Sequence, residues 1–121
     1  MHLWGKIDET ADALEYHPLV CHMLDVGLVA GEVWDSLLTN SVRADLSNSF
    51  GIGQGEMREA VMRLASLHDL GKATPSFQRK NLRAKKLLEN VGFNFAGSTD
   101  QYHGDLTAHL VGEHVLGLVG L

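Results

Sequence analysis

The sequence predicts an all-α domain, and three observations carry that reading. Apolar residues recur at helical spacing along most of the chain, strand signals are nearly absent, and short glycine- or proline-bearing breaks divide the periodic segments into four or five helices. With 121 residues, no internal repeat and no low-complexity tract, the chain is expected to fold as one domain around a single modest core.

The first helix is expected from Pro18 to about Leu38, where Leu19, Met23, Val26, Val33 and Trp34 keep helical spacing after a proline suited to a first turn. Gly27 and Gly31 within it weaken the expectation that it is straight. A weaker helix covers Val42 to Phe50, and GIGQG, residues 51–55, turns the chain. From Glu56 to Leu70, Met57, Val61, Leu64 and Ala65 share a face, and Glu56 and Glu59 stand in the first turn, where the helix dipole favours acids. Gly71 is expected to close this helix in the left-handed conformation. Thr74 and Pro75 read as the N-cap and first position of a helix running to about Asn90. GFNFAGSTDQ is a loop, and a last helix is expected from about Gly104 to Leu118. The apolar ending HVLGLVGL leads us to expect a longer natural chain, or a tail buried against something.

Composition bounds the function. Hydrophobic residues at 45% and charged residues at 21% are ordinary for a soluble globular protein. Cys21 is the only cysteine, which excludes an intrachain disulfide, and its apolar neighbours predict a buried thiol in a reducing compartment, hence the cytoplasm. Acids stand where a signal peptide would carry its apolar core, and the run LVCHMLDVGLVAG is interrupted by His22 and Asp25, which speaks against secretion and membrane spanning. A net charge of −5 offers nucleic acid no global attraction, so any such contact must be local. QRKNLRAKK, residues 78–86, holds five of the ten lysines and arginines and no acid; it reads as a solvated helix face or as a local nucleic-acid contact.

The chemistry-bearing stretch is LHDLGKATPSFQ, residues 67–78, which sets His68 beside Asp69 at a helix end. Adjacent residues inside a helix point about 100° apart, but at a terminus both can converge on one point. A histidine and a carboxylate suit Mn, Fe, Co, Ni or Zn, and a carboxylate can bridge two cations, as a two-metal hydrolase requires. On spacing alone the pair also fits a polar helix end at which His68 meets the last carbonyls. His22 is a satisfied core histidine or an inward ligand, and His103, at the head of the last helix, is a loop residue or a further ligand. His109 and His114 lie five apart, on different faces, and are taken as structural or exposed. Lys72 could meet a phosphate or complement the helix C-terminus. GIGQGEM lacks the lysine of a phosphate-binding loop, and neither a GxSxG elbow nor a CxxC pair occurs.

HPLVCHMLDVGLVA, LHDLGKATPSFQ and YHGDLTAHL, in that order, resemble the HD nuclease domain of the CRISPR type I nuclease-helicase family, which the Cascade surveillance complex recruits. The middle motif is the specific one, and the resemblance spans roughly Tyr16 to Leu110. It implies an HD-domain helical bundle that holds one or two divalent metals (Mn, Ni, Co, Fe or Mg) and cuts single-stranded DNA, chiefly the strand displaced by guide RNA. It implies His22, His68, Asp69 and His103 as metal ligands, with Asp69 and Lys72 catalytic. Lys72, Arg79, Lys80 and Arg83 would contact the strand. It implies as partners Cascade and a superfamily-2 helicase, fused or separate. The family's later histidine pair and late aspartate have no match here, so the chain is expected to be the N-terminal portion of that domain, or a split form, and to bind metal weakly alone. Two rival readings are an HD phosphohydrolase of small nucleotides and a non-catalytic helical docking module.

Overall fold

A computed structural model of the protein describes residues 2–10 and 12–115, the last two by their backbone alone. The fold is mostly helical, as the periodicity predicts. Its elements, in chain order, are β1 (Trp4–Asp8), β2 (Glu15–Pro18), α1 (Leu19–Ser36), α2 (Asn40–Phe50), α3 (Gln54–Leu67), a 3-10 turn (Leu70–Ala73), α4 (Pro75–Gln78), α5 (Leu82–Asn90) and α6 (His103–Leu110). A π-helical turn, Val111–Val115, follows α6. The rest of the predicted last helix and the apolar tail lie outside the described residues.

The long helices α1 and α3 pack side by side because α1 offers them a cleft. A Cβ on Gly27 would collide with Ser66 Oγ, and one on Gly31 would lie 2.8 Å from Met62 Sδ. These glycines are therefore points of close approach between the helices. Trp34 of α1 and Met57 of α3 are both buried. Arg58 on α3 reaches Asp35 on α1 with a 2.6 Å ion pair at the rim. The start of α3 is fixed by the Glu56 carboxylate, which accepts from the Gly53 N–H at 2.9 Å and so satisfies an orphan donor of the first turn.

Several expectations are corrected. The near absence of strands gives way to an antiparallel hairpin, β1 against β2, with an irregularity between Trp4 and Lys6. Strands of five and four residues carry too little alternation to be read from sequence, and β1 is held from outside the hairpin, as shown below. The predicted helix from Thr74 to Asn90 is two helices. Helix α4 ends at Gln78, and Asn81 caps α5 by accepting from the N–H groups of Arg83 and Ala84. Arg79 and Lys80 consequently sit in the turn between the helices, and only the rest of the basic run is helical. Thr74 does occupy the N-cap position of α4, but its hydroxyl donates back to the Gly71 carbonyl at 2.7 Å. Cys21 is exposed, because two residues beyond buried Leu19 the helix has turned its side chain to the opposite face.

Gly71 is the most informative correction. It has no left-handed backbone; the positive φ values belong to Gly51, Gly92 and Gly97. It lies buried where the 3-10 turn presses on α6, and a Cβ there would collide with the His103 carbonyl and lie 2.8 Å from Thr107 N. The Gly71 N–H donates to Thr107 Oγ1 at 2.8 Å, and that hydroxyl donates to the His103 carbonyl at 2.8 Å. Gly71 thus lets α6 carry His103 up to the HD turn. Gly71→Ala is expected to push α6 away and to destabilise the fold by about 1–3 kcal/mol, the usual cost of overpacking; urea unfolding monitored by circular dichroism checks this.

Candidate metal centre

The centre is organised by one carboxylate. The Asp69 side chain is 6% exposed, and His22 from α1, His68 from the end of α3, Lys72 from the 3-10 turn and His103 from the start of α6 all face it. His22 Nε2 lies 3.0 Å and His68 Nε2 3.1 Å from Asp69 Oδ2, and the Lys72 ammonium donates to the same oxygen at 2.6 Å. His103 Nε2 lies 3.6 Å from the other oxygen, Oδ1. One ligand atom from each of His22, His68 and Asp69 falls within 4.8 Å of the others, a spacing that can enclose one cation. His103 stands just outside this tight group. The structure thus brings together the four residues that the resemblance implies as ligands.

Each imidazole is oriented by something behind it. His68 Nδ1 lies 2.7 Å from the Ala65 carbonyl, which can only accept, so Nδ1 carries a proton. In the neutral imidazole Nε2 then bears its lone pair toward Asp69. This is the arrangement of a metal-ligating histidine, whose second nitrogen donates to a carbonyl and fixes the tautomer. One nitrogen of His68 thus meets the helix end while the other faces the carboxylate. His22 is held by packing. Gly5 of β1 has no side chain, and a Cβ there would lie 3.1 Å from His22 Cβ.

Electrostatics follow from burial and charge. Burial of Asp69 pushes its proton affinity up, but the Lys72 hydrogen bond and charge, followed by His68 and the His22 hydrogen bond, hold the carboxyl below its ordinary value of 3.8. Burial lowers His103 from its ordinary 6.5, the Lys72 charge lowers it further, and Asp69 opposes both. Burial and the Lys72 charge thus favour the neutral form of His103. The donor set, imidazole nitrogens with one carboxylate, fits a divalent transition metal, with His22, His68 and Asp69 holding it and His103 beside them.

A residue that the sequence reading passed over ties this centre to the hairpin. Gln78 is buried, and its carboxamide accepts from Trp4 N–H at 3.1 Å and donates to the Trp4 carbonyl at 2.9 Å and the Lys72 carbonyl at 2.7 Å. Trp4 Nε1–H donates to the Gln78 carbonyl at 3.2 Å. With β1 so anchored, the Gly5 carbonyl lies 3.4 Å from the Lys72 ammonium. Gln78 closes the quoted motif, but nothing local marks its amide as buried, and its partner Trp4 is 74 positions away.

The basic residues divide. Arg79 is paired with Asp100 at 2.7 Å, and Arg83 Nη1 donates to the Asp12 carbonyl at 3.4 Å. Lys80 is exposed, with its ammonium 5.4 Å from the centre of the Phe77 ring, which in turn meets the His103 ring edge-on at 5.2 Å. Lys72 and Lys80 are thus the lysines that border the centre. His109 is not brought there; it lies 3.4 Å from Glu113, on a different face of α6.

Residues 4–118 match the family model described as the Cas3 HD domain. A CRISPR-associated nuclease/helicase Cas3 of Streptococcus thermophilus is 25% identical over 133 aligned residues, covering 99% of this chain and 14% of that protein. A CRISPR-associated endonuclease/helicase Cas3 of Thermus thermophilus is 33% identical over 106, covering 87% of this chain and 11% of that protein. This chain therefore spans a small part of the length of either relative. No solved structure gives a significant match.

Two outcomes are expected. Gln78→Ala strands the buried Trp4 and Lys72 polar groups, each worth about 1–3 kcal/mol when unsatisfied, so urea unfolding should show one of the larger losses for any single truncation. Asp69 has a depressed carboxyl, so its charged form contributes stability that is present above 3.8 and lost as pH falls through the lower folded value. The stability gap between the metal-free wild type and Asp69→Asn should therefore narrow on acidification, as thermal melts across that range would record.

Proposed function

Because this chain belongs to the Cas3 HD-domain family, we propose that it carries the metal-binding centre of a nuclease that hydrolyses phosphodiester bonds in single-stranded DNA. The observation that carries the reading is the convergence of His22, His68 and Asp69, with His103 at their edge, on one shared point. A divalent cation held there, Mn, Ni, Co, Fe or Mg, would supply neutralisation of the phosphate charge and acidification of a water near neutral pH. Asp69 and the three imidazoles bind and orient it. Lys72 holds a positive charge against Asp69, beside the place where a phosphate would sit. Lys80 offers the same sign of charge at the border.

An open strand path fits better than a closed nucleotide pocket, because the His68 side chain is 45% exposed at the mouth of the centre. The convergence also weighs against the docking-module reading, which expects these histidines to lie apart. In the proposed role the strand is the one displaced when guide RNA pairs with its target. Cascade would recruit the enzyme, and a helicase, fused or separate, would deliver the strand. Arg79 and Arg83 would join the strand contact only by leaving Asp100 and Asp12, so Lys72 and Lys80 are the first contacts. No helix among the described residues is long and apolar enough to cross a membrane.

With manganese or nickel present, the wild type is expected to fragment circular single-stranded DNA and to leave free nucleotides intact. His68→Ala should lose bound metal and at least about 100-fold in cleavage rate, more than is typical when only a supporting residue is removed. Metal content by mass spectrometry and a gel-based cleavage assay check this; phosphate release from nucleotides with intact DNA would overturn the reading.

A further inference from the structure

Tyr102 stands beside the metal centre and none of the roles assigned above uses it. It is 65% exposed, yet it is not idle in the packing. Its ring lies 4.9 Å from the His103 ring, tilted by 49°. The ring also occupies the space above Gly104, where a Cβ would lie 2.6 Å from Tyr102 Cε1 and 3.2 Å from Cδ1. A glycine in the first turn of so short a helix weakens it relative to alanine. The nearest atoms around that missing Cβ all belong to Tyr102, so Gly104 admits the ring to its present place.

The surroundings indicate what the open face of this ring could receive. From Tyr102 a row of contacts runs through the ring of His103 to Phe77, at 5.2 Å, and on to the ammonium of Lys80, 5.4 Å from the Phe77 ring. The row therefore begins with an exposed aromatic face, passes the imidazole that faces Asp69, and ends in an exposed cation. Proteins that hold single-stranded nucleic acid combine these two elements, cations for the backbone and aromatic faces for the bases, and stacking is tolerant of sequence because every base has a π-face. A strand with a phosphate at the centre would have a base within reach of the exposed Tyr102 ring, which lies against His103.

We propose that Tyr102 is a stacking platform for a base of the strand whose phosphate is bound at the metal centre, and that Gly104 holds its ring in the receiving position. This rests on the single-strand reading above and adds to it a contact to a base, where the other assigned contacts are to phosphate and metal. Stacking of this kind makes binding depend on the presence of bases as well as on phosphate charge.

The test uses the full 121-residue chain, with fluorescein-labelled oligothymidylate and an abasic strand of equal phosphate count, at one fixed salt concentration, because the phosphate contribution varies with salt. Fluorescence anisotropy is expected to show that Tyr102→Ala weakens oligothymidylate binding by roughly tenfold, within the range of base–aromatic stacking. Tyr102→Phe should restore it. Gly104→Ala, which displaces the ring without removing it, should weaken binding in the same direction, while metal content stays at the wild-type level in all three. The abasic strand should bind wild type and Tyr102→Ala alike. Equal affinity of wild type and Tyr102→Ala for oligothymidylate, or equal affinity of wild type for the two strands, would overturn the proposal. A wild type that discriminates the strands through Tyr102 but cuts neither supports stacking and counts against the nuclease; one that cuts while ignoring the substitution does the reverse.

Discussion

A single buried carboxylate sets the conditions that the rest of this structure meets. Asp69 is removed from water at the junction of α1, α3, the 3-10 turn and α6, and an ionised group there is tolerable only when charges and donors replace its lost hydration. Lys72 supplies a full charge to Oδ2, and His22 and His68 direct Nε2 atoms to the same oxygen. Because these partners come from separate elements, satisfying one aspartate fixes how those elements meet. The same requirement that stabilises the fold gathers the ligand atoms.

The gathering depends on close backbone approach as much as on charge. Gly71 lets α6 come down on the HD turn until Thr107 bridges the two, and that brings His103 within reach of Oδ1. Gly27 and Gly31 do the corresponding work between α1 and α3, which carry His22 and His68. The hairpin is drawn in by Gln78, whose amide pairs with both backbone groups of Trp4, so that Gly5 lies against His22 and near Lys72. Trp4 and Phe77 close this side with their rings 4.6 Å apart. Large apolar side chains of α1, Leu24, Leu28 and Val29, stay well exposed, so the polar junction, more than a thick apolar core, defines this part of the domain.

Much of this was legible in the chain's own pattern. The two long helices, the turn at GIGQG and the all-α character follow from a 3.6-residue period and from glycine placement, which are local properties. The His68–Asp69 pair and its neighbours were legible as candidate ligands because the chemistry of metal binding restricts residue types. Less was readable where a residue's role lies far along the chain. Gln78 heads a run that reads as a solvated helix face or a nucleic-acid contact, Gly71 reads as a helix stop and Cys21 as a core thiol, and the four-residue strand β2 leaves almost no periodic trace.

Sequence by itself determined where the two long helices run and which side chains could hold a cation, since both depend on local spacing and on the identity of donor atoms. Tertiary structure alone decided that His22 and His103 meet the HD pair, that Gly71 is a contact and not a cap, and that Asn81 divides the basic run so that Lys80 borders the centre while Arg79 and Arg83 face Asp100 and Asp12. The physical reason is distance along the chain: 47 residues separate His22 from Asp69 and 74 separate Trp4 from Gln78, and whether such groups satisfy one another is settled only when burial forces every polar atom to find a partner.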